Sequence, residues 1–278
     1  MTRPLAKALV GLALAAAAAC WPAPAAAEPS PAPSRWRELM PGLEFARLPA
    51  PASARAGSEH IAVLRVDPRR LSFRVLAGPP GQEGRTAEAW REKTGALAVF
   101  NAGQYAADRT YLGLLVADGR ARGRLASRLE GLFVAEPHDP ALPQARVMDL
   151  RYTAFDLRTN PYRQVAQSLM LLDRFGHIRV RRSPLVAHRT AVAEDAAGRI
   201  LVMVTEGGHT LWELADFLKS SPLELREVMS MDGASESQLA VRVGGFSYLQ
   251  HGEPTGSPQL PLPWPSSPLP VALGIFPR

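Results

Sequence analysis

Two acids in this sequence follow apolar runs and precede small residues, an order that carries a carboxylate to the open end of a sheet. Asp232 comes after Val228-Met229-Ser230-Met231 and before Gly233-Ala234-Ser235. Glu206 comes after Ile200 to Thr205 and before Gly207-Gly208. Loops at strand ends carry chemistry because the sheet behind them is rigid. Two carboxylates at neighbouring strand ends suit glycosidic bond cleavage, where one supports an oxocarbenium-like transition state or activates water. The plainer alternatives are an Asx turn at Asp232 and a solvent-facing loop acid at Glu206.

Other side chains gather around these two. Asn101 ends the run Ala98-Val99-Phe100, with Gly103 close behind, so its amide either reaches a ligand or caps a turn. Arg189 directly precedes Thr190-Ala191. An inward-facing arginine needs an anion, and phosphate oxygens match its planar fork; a salt bridge to Asp232 or Glu206 would serve equally. His209 precedes a helix start and is either a substrate contact or exposed. Gly103, Thr210, Gly233 and Ser235 complete the candidate binding set. The six histidines lack H-E-x-x-H or another metal-ligand spacing. No cofactor is indicated and no metal ligand is assigned, while a calcium or magnesium ion on Asp and backbone oxygen stays open. The stretch Gly233 to Ser237 mimics a serine nucleophile elbow without its final glycine. Gln238 to Val243 then alternates like a strand, where an elbow demands a helix.

The elements that must position these groups are mostly strands. Strand patterns cover His60 to Val66, Leu71 to Leu76, Ala96 to Asn101, Leu112 to Ala117 and Leu132 to Ala135. They continue over Ser168 to Leu172, Ile178 to Val180, Thr190 to Glu194, Ile200 to Thr205, Val228 to Met231, Leu239 to Val243 and Pro270 to Ile275. Ala196-Ala197-Gly198 reads as a hairpin turn. Thr86 to Lys93 reads as a helix with Thr86 as N-cap. Thr210-Leu211-Trp212-Glu213 is a capping box opening a helix over Leu211 to Lys219. Leu211, Leu214, Ala215 and Leu218 share one face of it. Ordered structure begins at Trp36, and Pro49 to Ser58 reads as a loop. From Gly252 to Pro270 the chain is Pro/Ser/Gly-rich, a long surface loop with the reach to cover a cleft. This is an α+β pattern, expected as one domain with mixed β-sheets and two to three flanking helices.

The start of the chain carries a different message. Arg3 and Lys7 precede an apolar run from Ala8 to Cys20, and Ala25-Ala26-Ala27 precedes Glu28. That order is a secretory signal peptide over residues 1–27, followed by a Pro/Ala/Ser-rich lead-in over 28–35 and a domain over 36–278. The apolar run is too short for a membrane span, so no transmembrane segment is expected after its removal. Periplasmic or secreted localisation follows, with lipoprotein anchoring at Cys20 as the lesser alternative. Cys20 is the only cysteine, so the exported chain is expected to hold no disulfide, thiolate zinc site or cysteine nucleophile. The formal charge of +6 falls by two with the signal. The densest basic group, Arg174, Arg179, Arg181 and Arg182, has no aromatic ladder, so it reads as a solvated face. No nucleic-acid partner is expected.

Taken together, these residues resemble the phosphodiester glycosidase family, whose members include the "uncovering" enzymes that remove N-acetylglucosamine from a sugar phosphodiester. Its pattern of strand, F-N-A-G and G-L-x-x-x-x-G is similar to Val99 to Gly119, through Asn101, Gly103, Gly113, Leu114, Asp118 and Gly119. A Q-S-x-x-L-L element is similar to Gln167 to Leu172. The R-T-A-V-G strand resembles Arg189 to Val192, with Ala193 in place of glycine. The acidic loop and helix resemble Thr205 to Phe217. The L-D-G-G-x-S turn is similar to Met231 to Ser235, with Ala234 at the second glycine.

The resemblance implies an exported hydrolase acting on a sugar-1-phosphodiester or related glycosidic linkage, with a carbohydrate or sugar phosphate as its partner. Asp232, Glu206 and Arg189 are the expected catalytic groups. Glu236 adds negative charge beside the turn, which favours an alternative: a non-catalytic envelope protein binding a glycan or phosphoglycan in the same cleft.

Overall fold

The alternation of apolar residues along Ile200 to Thr205 finds its cause in the architecture. Ile200, Val202 and Val204 enter one apolar core, while Leu201 and Met203 enter another. A strand covered on both faces has no polar side. The computed structural model describes residues 35–50, 60–78, 83–254 and 266–278. The signal peptide, Cys20, most of the lead-in and most of the loops at 49–58 and 252–270 lie outside the described residues.

The chain begins with β1 (Arg37–Met40), β2 (Leu43–Pro49), β3 (His60–Val66) and β4 (Leu71–Ala77). Then come α1 (Ala87–Thr94), β5 (Ala98–Asn101), β6 (Leu115–Ala117) and β7 (Arg120–Arg122). Next are β8 (Gly131–Pro137), β9 (Ala145–Asp149), β10 (Tyr162–Leu172), β11 (Thr190–Asp195) and β12 (Ile200–Thr205). Last are α2 (Leu211–Lys219), β13 (Leu225–Ser230), β14 (Gln238–Val243), β15 (Phe246–His251) and β16 (Val271–Pro277). Among the described residues the protein is mostly β, with 46% in strands and 9% in helices.

Two sheets form. The larger has eleven strands along β1-β2-β3-β12-β11-β13-β10-β6-β7, with β8 on β10 and β9 on β8. The smaller has five, in the order β15-β14-β5-β16-β4. Between them lies the main core, where Leu64, Val192, Val204 and Met229 of the large sheet meet Phe73, Phe100, Leu239 and Ile275 of the small one. Beyond the large sheet, α2 buries Leu214, Ala215, Phe217 and Leu218 against Ile61, Val63, Ala191 and Met203. Beyond the small sheet, Ala87 and Trp90 of α1 pack on Val99, Ala240 and Ala272. The order is therefore helix, sheet, sheet, helix. Burying each large apolar side chain contributes roughly 1.5–3 kcal/mol, and the two sheets share most of that gain.

The expectation of mixed sheets is corrected, because every pairing among the described strands is antiparallel. Antiparallel neighbours need only short turns, such as Ala196-Ala197-Gly198 between β11 and β12. Both helix starts form as their caps dictate. Thr86 Oγ1 accepts from Ala89 N at 3.1 Å, and the Thr210–Glu213 box closes in both directions. Ile178 to Val180 is not a strand: Ile178 makes one isolated bridge to Leu172.

Candidate functional site

One end of the sandwich collects the ends of β5 and β13 and the starts of β11 and β14. Asn101 is the reason they meet. It is fully buried. Its Nδ2 donates to the carbonyls of Asp232 at 2.9 Å and Ala102 at 3.3 Å. Its Oδ1 accepts from Thr190 Oγ1 at 2.7 Å and Gln238 N at 3.1 Å. An amide has two donors and two acceptor sites, and all four are used. The expected ligand-binding role for Asn101 is therefore replaced by a structural one: it ties the small sheet to the large sheet and fixes the Asp232 turn.

A second layer of polar side chains holds the other approach. Gln104 Nε2 donates to Met231 O at 3.0 Å, and Ser168 Oγ stands between the carbonyls of Gly103 (3.1 Å) and Ser230, with one proton to donate to either. Gly103 has φ +106, and a Cβ there would stand 3.2 Å from Asp232 Cβ. Glycine is thus required behind the carboxylate. The buried Gln167 of the Q-S element accepts from Leu114 N and Ala126 N and donates to Ala126 O and Leu129 O. It braces the chain leading into β6 and touches no cavity near Asp232.

Asp232 opens onto a cavity of about 360 Å³ lined by Tyr105, Ala106, Ala107, Arg109, Leu185, Ala187, Arg189, Gly233, Ala234 and Glu236. Its Oδ2 accepts from Tyr105 N at 3.0 Å and its Oδ1 from Gly233 N at 2.9 Å. Burial pushes its carboxyl above the usual range; the two N–H groups offset this in part, Glu236 adds to it, and Arg189 opposes it. The carboxylate is consequently more basic than an exposed one.

Arg189 shares this cavity. Only 7% of its surface is exposed. Its Nε donates to His209 O at 2.9 Å and Nη2 to Leu185 O at 2.7 Å. Nη1 faces Gly233, where a Cβ would approach it to 3.2 Å. Burial lowers its pKa and the charge of Asp232 opposes the shift, yet among the described residues no carboxylate lies within 4.0 Å of it. Arg179, elsewhere in the fold, is similarly buried but bonded to Asp149 at 2.6 Å and to Glu130. A desolvated cation held only by neutral carbonyls and facing an open cavity is arranged to receive an anion.

The remaining candidates divide. Gly233 lines the cavity. Ser235 lies beside it, with its Oγ donating to Glu236 Oε2 at 2.8 Å. His209 is buried, and burial lowers its pKa against the opposing charge of Glu213; through its carbonyl it holds Arg189. Thr210 is occupied as the N-cap of α2. Neither of these two side chains reaches the cavity.

Glu206 does not reach it either, which corrects the expected pairing of two acids. Its carboxylate is bound by Arg47, with Nε to Oε1 at 2.8 Å, and by Tyr248 OH at 2.9 Å. Burial would raise its pKa, but the bonds from Arg47 and Tyr248 prevail and hold it below the usual value.

Sequence reasoning missed Tyr105 and Arg109. Arg109 lies in a loop without periodicity, at φ +66, with Nη2 donating to Pro268 O and Nη1 3.7 Å from Glu236 Oε1. Its only sequence signal was a cation shortly after the Asn101 turn. Among the described residues no three His, Asp or Glu side chains gather as a metal-binding group, and no helix is long and apolar enough to cross a membrane.

The chain is similar to known proteins in two comparisons. A family model described as phosphodiester glycosidase matches residues 94–276. That span contains Asn101, Arg189 and Asp232. Among solved structures, the catalytic domain of zebrafish N-acetylglucosamine-1-phosphodiester alpha-N-acetylglucosaminidase, auto-inhibited by its pro-peptide, superimposes with a TM-score of 0.64 at 18% identity. The match covers 86% of this chain and 85% of that one. A hypothetical protein from Synechocystis gives 0.57 at 14% identity over 86% and 63% of the two chains. A protein assigned to export in Burkholderia pseudomallei gives 0.50 at 14% identity over 80% and 76%. At these identities the likeness is one of fold. No curated protein matches the sequence.

Proposed function

The chain belongs to the phosphodiester glycosidase family, and from that premise we propose that it is an exported hydrolase cleaving a sugar-1-phosphodiester. The observation that carries this reading is the meeting of Asp232 and Arg189 in one cavity. One is a carboxylate made more basic by burial, the other a buried cation with no carboxylate within 4.0 Å among the described residues.

In the proposed reaction the bond between the anomeric carbon and the phosphate oxygen breaks. Its electron pair leaves with the phosphate monoester, whose growing negative charge Arg189 stabilises. A phosphate monoester leaves more readily than a sugar alcohol, so the guanidinium takes over much of the work of a general acid. Water adds to the anomeric carbon, and its proton passes to the Asp232 carboxylate. Gly233 leaves room for the guanidinium, and Ser235 lies beside the phosphate position. Glu206, held by Arg47 and Tyr248, has no part in it.

The test is incubation of the purified protein with sugar-1-phosphodiesters, reading free sugar and phosphate monoester. Release of both supports the hydrolase. Saturable binding without release would assign a non-catalytic phosphoglycan-binding protein instead, the reading favoured by the Glu236 carboxylate in the cavity wall.

A further inference from the structure

A second, larger cavity of about 700 Å³ adjoins the first, and Arg109 lines both. Its wall combines Ala77, Tyr111, Leu115, Pro268, Pro270 and Val271, an apolar surface. Glu83, Asp108, Thr110 and Arg122 also line it, at exposed positions. Tyr105 of the first cavity and Tyr111 of the second stack edge to face at 5.9 Å. Both hydroxyls are committed to backbone carbonyls, Val271 O at 2.6 Å and Gln167 O at 2.8 Å. The partition between the cavities is therefore built of fixed rings.

The first cavity is at the small end of the ligand-pocket range of roughly 300–1,000 Å³. A diester placing its sugar at Asp232 must send its second alcohol elsewhere, and the neighbouring space shares Arg109. We propose that this second cavity holds the alcohol portion of the phosphate ester, that this portion has an apolar body, and that its phosphate lies between Arg189 and Arg109, which line the first cavity together. The proposal rests on the reading of the first cavity as a phosphodiester site. The apolar part of the wall rewards an alkyl or prenyl-like group with desolvation. Arg109, already donating to Pro268 O and only loosely paired with Glu236, supplies the cation at the junction.

The test uses methyl phosphate and octyl phosphate as probes, with octyl glucoside as an uncharged control, titrated calorimetrically into the purified protein. Octyl phosphate is expected to bind at least ~10-fold more tightly than methyl phosphate, and more tightly than octyl glucoside. Thr110→Trp, which fills an exposed wall of the larger cavity, is expected to bring the octyl-to-methyl ratio within ~2-fold. Arg122→Trp, at another exposed lining position, serves the same purpose if that variant does not fold. Equal affinity for the two phosphates, an octyl preference that survives the filled cavity, or equal binding of octyl glucoside would each overturn the proposal. The probes contain no glycosidic phosphate bond, so their binding is read independently of turnover. Absence of hydrolysis with octyl selectivity intact would remove the hydrolase and leave this cavity's occupant as assigned.

Discussion

Asp232 and Glu206 each follow a buried strand of the large sheet, and each is flanked by small residues. Their surroundings send them in opposite directions. Glu206 meets Arg47 and Tyr248, its pKa falls, and its charge is used up in structure. Asp232 meets two backbone N–H groups and a cavity, and its pKa rises. The arginines repeat the contrast, with Arg179 bonded to acids and Arg189 held by carbonyls alone. Burial of a charge is common to both regions. What separates them is whether the protein itself supplies the counter-ion.

The largest test of that contrast is Asp232→Asn, which should lower turnover of a sugar-1-phosphodiester by at least ~10²-fold while circular dichroism shows the fold intact. Unchanged turnover would erase the distinction between the two acids. Next is Arg189→Lys. An ammonium cannot hold His209 O and Leu185 O while presenting a further N–H, so kcat/KM should drop by about 10–100-fold, equivalent to one charge-assisted hydrogen bond. Glu206→Gln carries the opposite expectation. Steady-state kinetics should stay within ~2-fold, and urea denaturation should show a loss of about 1 kcal/mol, an upper figure for a pair whose arginine is half exposed. A large kinetic defect there would bring Glu206 back into the mechanism.

The contrast should also appear in pH dependence, with opposite signs. Asp232 has its folded pKa raised above 3.8. Between the two values the native state holds the extra proton, so this group's contribution to stability falls as pH rises through that window. Glu206 has its folded pKa lowered below 4.5. Its contribution is present above that value and is lost as pH falls through the folded pKa. Thermal melts across pH should therefore show Asp232→Asn gaining on the wild type as pH rises above 3.8, and Glu206→Gln falling behind as pH rises toward 4.5. The acid limb of turnover should lie above 3.8, where Asp232 protonates.

Much of the scaffold was legible because local chemistry decided it. The Thr86 and Thr210 caps, the β12 boundaries and the β11–β12 turn all depend on neighbours close in sequence. The strands β1, β2, β7, β9 and β15 were not marked, since exposed or charged side chains weaken their apolar pattern. At the site, sequence marked Asp232 and Arg189 by their place beside strands, and the structure brings both to one cavity. It could not show the surroundings of Asn101 and Glu206, because their partners lie far away in the chain. Asn101 is satisfied by Thr190 and Gln238, and Glu206 by an arginine 159 residues distant. Arg109 was invisible for the same reason, because its meaning lies in two cavities that no short stretch of sequence describes.

The smallest prediction concerns backbone strain, and it also separates the two turns. Ala234 sits at φ +55, while Gly207 and Gly208 after Glu206 do not occupy the left-handed region. The turn that this stretch resembles has glycine where this chain has Ala234, and a left-handed backbone favours glycine there. A left-handed residue with a Cβ costs about 1–2 kcal/mol. Replacing it by glycine removes that cost but frees the unfolded chain by about 0.4–1 kcal/mol. Ala234→Gly should accordingly stabilise the protein by about 0.5–1 kcal/mol in urea denaturation. The effect on turnover decides what the strain is for. If Ala234 holds Asp232 and Glu236 against the cavity, relieving it should raise KM more than it changes kcat. If the strain is incidental, stability rises and kinetics stay as they were, and the special character of this turn reduces to the missing counter-ion alone.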